Sequence, residues 1–128
     1  MSKMSDYLEN KLLDHVLKNT AYTPPEKVYL ALFTSDPTDA GTGTEVSGGA
    51  YTRQEIAFGA ASSGTSSTTA DIAFPVATAN WGNVTHIGIY DAATAGNLLF
   101  HGPLEIVDTI LERKQVVFAE GDLTVIFD

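Results

Sequence analysis

The stretch "WGNVTHIGIYDAATAGNLLFHG", Trp81 to Gly102, decides how the chain is read. Two runs rich in aliphatic and β-branched residues, 83–92 and 97–104, flank the small-residue loop Asp91–Gly96. Such spacing predicts a strand–loop–strand unit. The same stretch holds the only Trp, two of the three His and an Asp at the loop mouth, which are also the residue types of an active site. Read as strands, Trp81 stands at a strand entrance, where the ring is usually buried and its N–H bonded. The alternative is an exposed stacking platform for sugars. His86 and His101 fall near the base of the two arms. The register decides whether they face each other or opposite sides, because a slip of one residue flips every side chain. Zinc would need a third and fourth ligand, and no motif links His15 to this pair. The reading without a metal, two hydrogen-bonding residues at a strand end, asks for less.

Upstream, Ser5 to Asn19 predicts a helix. Ser5 is the N-cap, and Asp6 and Glu9 lie near the positive end of the helix dipole. Leu8, Leu12 and Val16 recur every four residues with Leu13 and Leu17 beside them, which is one apolar stripe. Asn19 suits the position just past the helix, and "TPP" (Thr23 to Pro25) forbids continuation. "KVYLALFT" (Lys27 to Thr34) is apolar on both alternate sets, so a strand buried on both faces is expected. Ser35 to Gly49 is a long Gly, Ser and Thr loop, and its length marks it as a contact loop.

Ala50 to Gly59 alternates, with Tyr51, Arg53, Glu55 and Ala57 on one side. Tyr51 and Arg53 could meet acidic neighbours or a partner chain. Ala60 to Ala70 reads as a polar low-complexity connection. Asp71 to Ala77 reads as a short strand whose Pro75 marks an edge or an end. Near the C-terminus, strands Gln115–Phe118 and Leu123–Phe127 are separated by "AEGD", short enough for a hairpin. One N-terminal α-helix (5–19) followed by about seven strands over 27–128 predicts a single, mainly β domain. Its expected form is an antiparallel β-sandwich or small barrel with the helix packed on it. There is no fixed-period repeat of a fibrous shaft.

At 128 residues the chain is long enough for a core. It has no cysteine, which removes disulfides, thiolate metal sites and cysteine nucleophiles together. A formal net charge of −9 disfavours contact with nucleic acid, since phosphate backbones are repelled. The apolar runs are too short to span a bilayer, and the N-terminus lacks the continuous apolar core of a secretory signal. No membrane contact is expected, and synthesis in the cytosol without export. "EVSGG" lacks the first glycine of a nucleophile elbow, and "GTGTEVSGG" lacks the Lys-Ser/Thr of a phosphate loop. Asp6, Glu26, Asp36, Glu120 and Asp122 sit beside Gly, Pro or Ser, where Asp serves turns. No catalytic, cofactor or metal site is expected, and the chain is not expected to be an enzyme.

The blocks "LALFTSDPT", "TEVSGGAYTRQ", "ATANWGNVTHIGIYDA" and "GNLLFHG" occur in an order and spacing that resemble a family of small tailed-bacteriophage proteins. The resemblance covers nearly the whole chain. Glu105 to Gln115 departs from it, being more charged and aliphatic than the Ser, Thr and Gly text expected there. Such proteins are often labelled tail-fibre-like, and they resemble the virion structural proteins that decorate capsids. The resemblance implies a virion structural protein, first of all a capsid decoration (cement) protein that docks on the phage major capsid protein and stabilises the shell. The alternative is a tail, baseplate or fibre-associated protein that contacts a partner or the host surface. Sister subunits forming a homo-oligomer are expected, a trimer being suited to capsid threefold positions. The candidate interface residues are Leu8 and Leu12 on the helix, Asp36, Pro37 and Thr44 in the long loop, Tyr51 and Arg53, Trp81, and Asp91 and Asn97 at the hairpin tip.

Overall fold

A computed structural model describes residues 3–127. The elements are β1 (Lys3–Met4), α1 (Asp6–Leu17), β2 (Val28–Phe33), β3 (Gln54–Ile56), β4 (Thr65–Ser67), β5 (Ile72–Ala73), β6 (Gly82–Tyr90), β7 (Leu98–Ile110), β8 (Val117–Phe118) and β9 (Thr124–Ile126). Every pairing is antiparallel. A five-stranded sheet runs β1-β7-β6-β2-β3, and two short ribbons, β4–β9 and β5–β8, complete the strands. The fold is sandwich-like and does not close into a barrel.

Alternation in the central strands explains the two faces. Leu30 and Leu32 of β2 and Ile87 and Ile89 of β6 point into the main core, where Phe74, Trp81, Ile110 and Leu123 meet them. Ala31 and Phe33 point the other way and meet Tyr90 and Leu98. Gly88 faces this second cluster. A Cβ there would lie 2.9 Å from both Leu98 and Phe33, so only glycine lets the strands approach. Val84 joins the main core out of phase with Ile87 because the β6–β7 register breaks between Val84 and His86. At that break Val84 pairs with Asp108 and His86 with Pro103, so β7 carries three more residues than β6 across the interval. This large bulge takes up Glu105, Ile106 and Val107, the start of the segment that departs from the family's text.

The two ribbons correct the sequence reading of the C-terminus. Val117–Phe118 and Thr124–Ile126 do not form a hairpin with each other: β8 pairs with β5, and β9 with β4. The turn between them is instead captured from outside. Thr68 accepts from the Gly121 N–H and Asp71 from the Glu120 N–H, while Thr68 donates its own N–H to the Leu123 carbonyl. These bonds bend one long pairing of 65–73 against 117–126 into two pieces. The Ser/Thr-rich "connection" therefore contains a strand. It enters that strand through a tight turn with Ser63 at φ 53° and Gly64 at φ 73°, the left-handed pair that a two-residue hairpin favours.

The helix meets the sheet at one end only. Ser5 caps it, accepting from the Leu8 N–H at 3.2 Å, and Ser5 itself bonds the carbonyls of Leu98 and Leu99. Leu8 is buried, but Leu13, Val16 and Leu17 are exposed, so the apolar stripe is only partly used against the sheet. Asn19, at φ 55°, takes the left-handed position expected just past the helix.

A Cβ on Gly64 would sit 2.7 Å from the Phe127 carbonyl oxygen. Gly64→Val is expected to lower the unfolding free energy by roughly 1–3 kcal/mol, measured by urea titration. An unchanged midpoint would show that the turn relaxes without cost.

Candidate functional site

The residues with the chemistry of a site gather at the end of the sheet where the hairpin tip, the 35–49 loop and the start of β3 meet. Arg53 lies at the centre. Its side chain is 8% exposed. Nε donates to Glu45 Oε2 at 2.9 Å and Nη2 to Glu45 Oε1 at 2.8 Å, a bidentate fork. Nη1 donates to the carbonyls of Ala92 and Ala95 at 2.9 and 2.8 Å, and the guanidinium lies 3.7 Å over the Tyr90 ring. Burial alone would pull the Arg53 pKa down, but the hydrogen bond and charge of Glu45 reverse it to a net rise.

Tyr51 completes the node. Its hydroxyl donates to Glu45 Oε2 at 2.6 Å and accepts from the Leu32 N–H at 3.0 Å. The second bond gives β2 a partner on the edge opposite β6, where the pairing with β3 has ended at Leu30. Farther along β2 the Leu32 carbonyl accepts from Val46, and Thr34 donates to the Thr44 carbonyl. Burial first, and then the bond to Glu45, push the Tyr51 pKa up, so this hydroxyl stays protonated. The Tyr51 ring stands edge-on to Trp81 at 5.4 Å, and Trp81 is 5% exposed with its Nε1 donating to the Gly49 carbonyl at 2.8 Å. Trp81 is thus an interior residue, and the sugar-platform alternative is corrected: the ring presents no open face.

The other candidate interface residues separate in the same way. Leu8 and Pro37 are buried. Pro37 is held under the loop, its carbonyl accepting from Thr42 N–H. Asp36 is exposed and accepts from the Thr38 N–H, the main cause of its lowered pKa. Asp91 closes the hairpin loop on Asn97, accepting from its backbone N–H at 2.7 Å and its Nδ2 at 3.0 Å. Leu12 is half-buried, and Thr44 and Asn97 are exposed. The interface set therefore does not form one surface. Tyr51, Arg53 and Trp81 are brought together in the interior, while Asp36, Thr44 and Asn97 lie outside.

The two histidines share a face but are not partners across the strands: His101 stands opposite Gly88, and His86 opposite Pro103. His101 is buried and bonds Asp39 Oδ1 at 2.7 Å, while His86 bonds the Thr85 hydroxyl at 2.7 Å. Among the described residues, the group of carboxylate or imidazole ligands able to converge is Asp6, Glu9 and Asp39, all exposed and without a histidine. Sequence reasoning missed Glu45. The signal was there, since Glu45 precedes Tyr51 and Arg53 at loop-closing distance, but the eight-residue separation has no secondary-structure period.

Glu45→Gln leaves the Arg53 charge without its partner. It is expected to cost roughly 3 kcal/mol of stability, read by chemical denaturation, and a loss under about 0.5 kcal/mol would show that the node is dispensable. Trp81→Ala is expected to cost about 3–5 kcal/mol through the cavity it leaves. A variant melting with the native protein would return the ring to the surface.

Among curated proteins, none matches the chain. The family model described as podophage GP4 fiber I protein gp80 matches residues 3–126. The chain therefore belongs to the podophage GP4 fiber I protein gp80 family, and it is a virion structural protein of the phage tail-fibre kind.

Proposed function

We propose that this chain serves as a non-catalytic structural subunit attached to the fibre apparatus, working through surface contact with other virion proteins or the host surface. The observation that carries the reading is the family match along residues 3–126. The geometry agrees with it. The residues that looked chemical in the sequence are engaged with partners of the same chain: Arg53 and Tyr51 on Glu45, Asp91 on Asn97, His101 on Asp39. Apolar surface, by contrast, is left outward. An open groove of about 270 Å³ lies between the sheet and β9, lined by Val28, Ile89, Leu99, Phe100, Val125 and Phe127. An open apolar groove of this kind offers a place for a partner's apolar side chain.

Capsid decoration would use the same surfaces, with the coat protein as partner and many weak contacts adding up by avidity. The family's fibre description weighs toward the tail. Locating the protein in intact particles by electron cryo-microscopy or gold-labelled antibody separates the two. Density or label at the tail fibres is the expected result. Density on the head shell would establish the decoration role instead.

A further inference from the structure

A cleft of about 250 Å³ opens beside the start of α1, where the helix, the 38–41 turn and the hairpin tip come together. Asp6, Tyr7, Asp39, Tyr90 and Asn97 line it, and no Lys, Arg or His is among the described residues that do. Its size falls below the roughly 300–1,000 Å³ usual for a small-molecule site. It suits the head of a single side chain.

The lining holds acceptors that the fold leaves unused. Tyr90 is only 9% exposed, yet its hydroxyl makes no hydrogen bond with the described residues. Arg53 at 3.7 Å over the ring and Phe33 stacked at 6.2 Å hold that ring in place. Among the described residues no side-chain oxygen or nitrogen is both sealed from solvent and unpaired. The Tyr90 hydroxyl therefore opens outward, and the cleft is the opening that Tyr90 lines. Asp39 is fixed from two sides. Its backbone carbonyl accepts from the Asp6 N–H at 2.9 Å, and the buried His101 bonds its Oδ1 at 2.7 Å, which leaves Oδ2. Asn97 donates from Nδ2 to Asp91, which leaves Oδ1. The Asp6 carboxylate has no bonded partner among the described residues.

Charge around the cleft is negative on balance. The Glu9 carboxylate lies within 4.8 Å of those of Asp6 and Asp39, and Asp91 reaches within 2.6 Å of where a Cβ on Gly96, a lining residue, would stand. Against these four acids stands Lys11, whose Nζ lies 5.7 Å from the Tyr7 ring centroid. Arg53 is matched by Glu45, and Lys3 acts on Asp36. The positive end of α1 adds about half a charge, and a protonated His101 would add one more. An acidic excess remains after both.

Carboxylates accept hydrogen bonds and donate none. An anion would be repelled here, and a neutral sugar would leave the charge unanswered. A guanidinium brings five N–H donors in a rigid planar fork and is weakly hydrated, so it can meet several fixed acceptors at once. An ammonium is a compact, strongly hydrated point charge and does this less well.

We propose that the cleft receives an arginine side chain of a partner protein, its guanidinium donating to Asp6, Asp39 and the Tyr90 hydroxyl. That the arginine comes from a protein follows from the surface-contact reading above, on which this inference rests. Because the acceptors are already held by the fold, little ordering is needed on binding.

Amide NMR on the full chain, titrated with N-acetyl-arginine amide to about 50 mM, covers the millimolar affinity expected of one side chain. The amides of Gly41, Gly96 and Asn97 should shift together and saturate. N-acetyl-citrulline amide, the neutral isostere, and methyl glucoside should leave them in place. Tyr90→Phe removes one oxygen and keeps the ring, and it should weaken binding about threefold to tenfold. Asp6→Asn, at an exposed position, should weaken it similarly and reduce its dependence on salt. Native shifts away from the cleft check that both variants fold. Citrulline shifts equal to those of arginine overturn the proposal, as do sugar shifts without an arginine response. Shifts spread over other acidic surface, or an unchanged affinity in Tyr90→Phe, overturn it too. Failure here leaves the particle location untouched, and head-shell density in the particle would leave these cleft measurements as they are.

Discussion

A buried guanidinium must satisfy its donors or the fold that buries it fails. Arg53 does so by drawing together pieces far apart in sequence: Glu45 from the long loop, and the Ala92 and Ala95 carbonyls from the hairpin tip. Tyr51 extends the same node into the sheet, bonding the Leu32 amide on one side and Glu45 on the other. Loops that would otherwise wander are thereby fixed relative to β2 and β6. The ring of Tyr51 then continues into the aromatic core with Phe74 and Trp81. One polar cluster thus sets the end of the sandwich, and an apolar cluster fills its middle.

What could be read in the sequence was local. The Ser5 cap, the helix Asp6–Leu17 and the left-handed Asn19 follow from side chains a few residues apart. The doubly apolar β2 and the strand–loop–strand unit of β6 and β7 follow from alternation and a small-residue loop. Non-local bonding was not legible. β4 is built from Thr-Ser-Ser, which reads as linker, and it is a strand because β9 pairs with it. Val117–Phe118 and Thr124–Ile126 looked like a hairpin, and Thr68 and Asp71 turn them onto different partners. Alternation put Tyr51 and Arg53 on one strand face with Glu55 and Ala57 and left acidic neighbours or a partner chain open as their contacts. Only Glu45 and the hairpin carbonyls make it an interior.

The same distinction separates fold from function. The Trp, the histidines and the hairpin Asp of Trp81–Gly102 suggested chemistry, and each is engaged in holding structure. Membership of a phage fibre family accords with a chain whose site-like polar side chains are engaged with partners in the fold and some of whose aliphatic side chains stay exposed. The helix stripe shows it most plainly. Its first leucine anchors α1 to the sheet, and the later apolar positions extend past it into open surface. An amphipathic pattern tells that a helix has an apolar face. It does not tell whether that face belongs to the same molecule.

Amide hydrogen exchange at Leu32 tests the central claim most directly. This N–H lies in β2 but is donated to the Tyr51 hydroxyl at 3.0 Å, so its protection reports on the node and not on a neighbouring strand. The account predicts that it exchanges as slowly as the paired amides of the β2–β6 core, opening only with global unfolding. A Leu32 amide that exchanges at the rate of a mobile loop, while the β2–β6 amides stay protected, would contradict it.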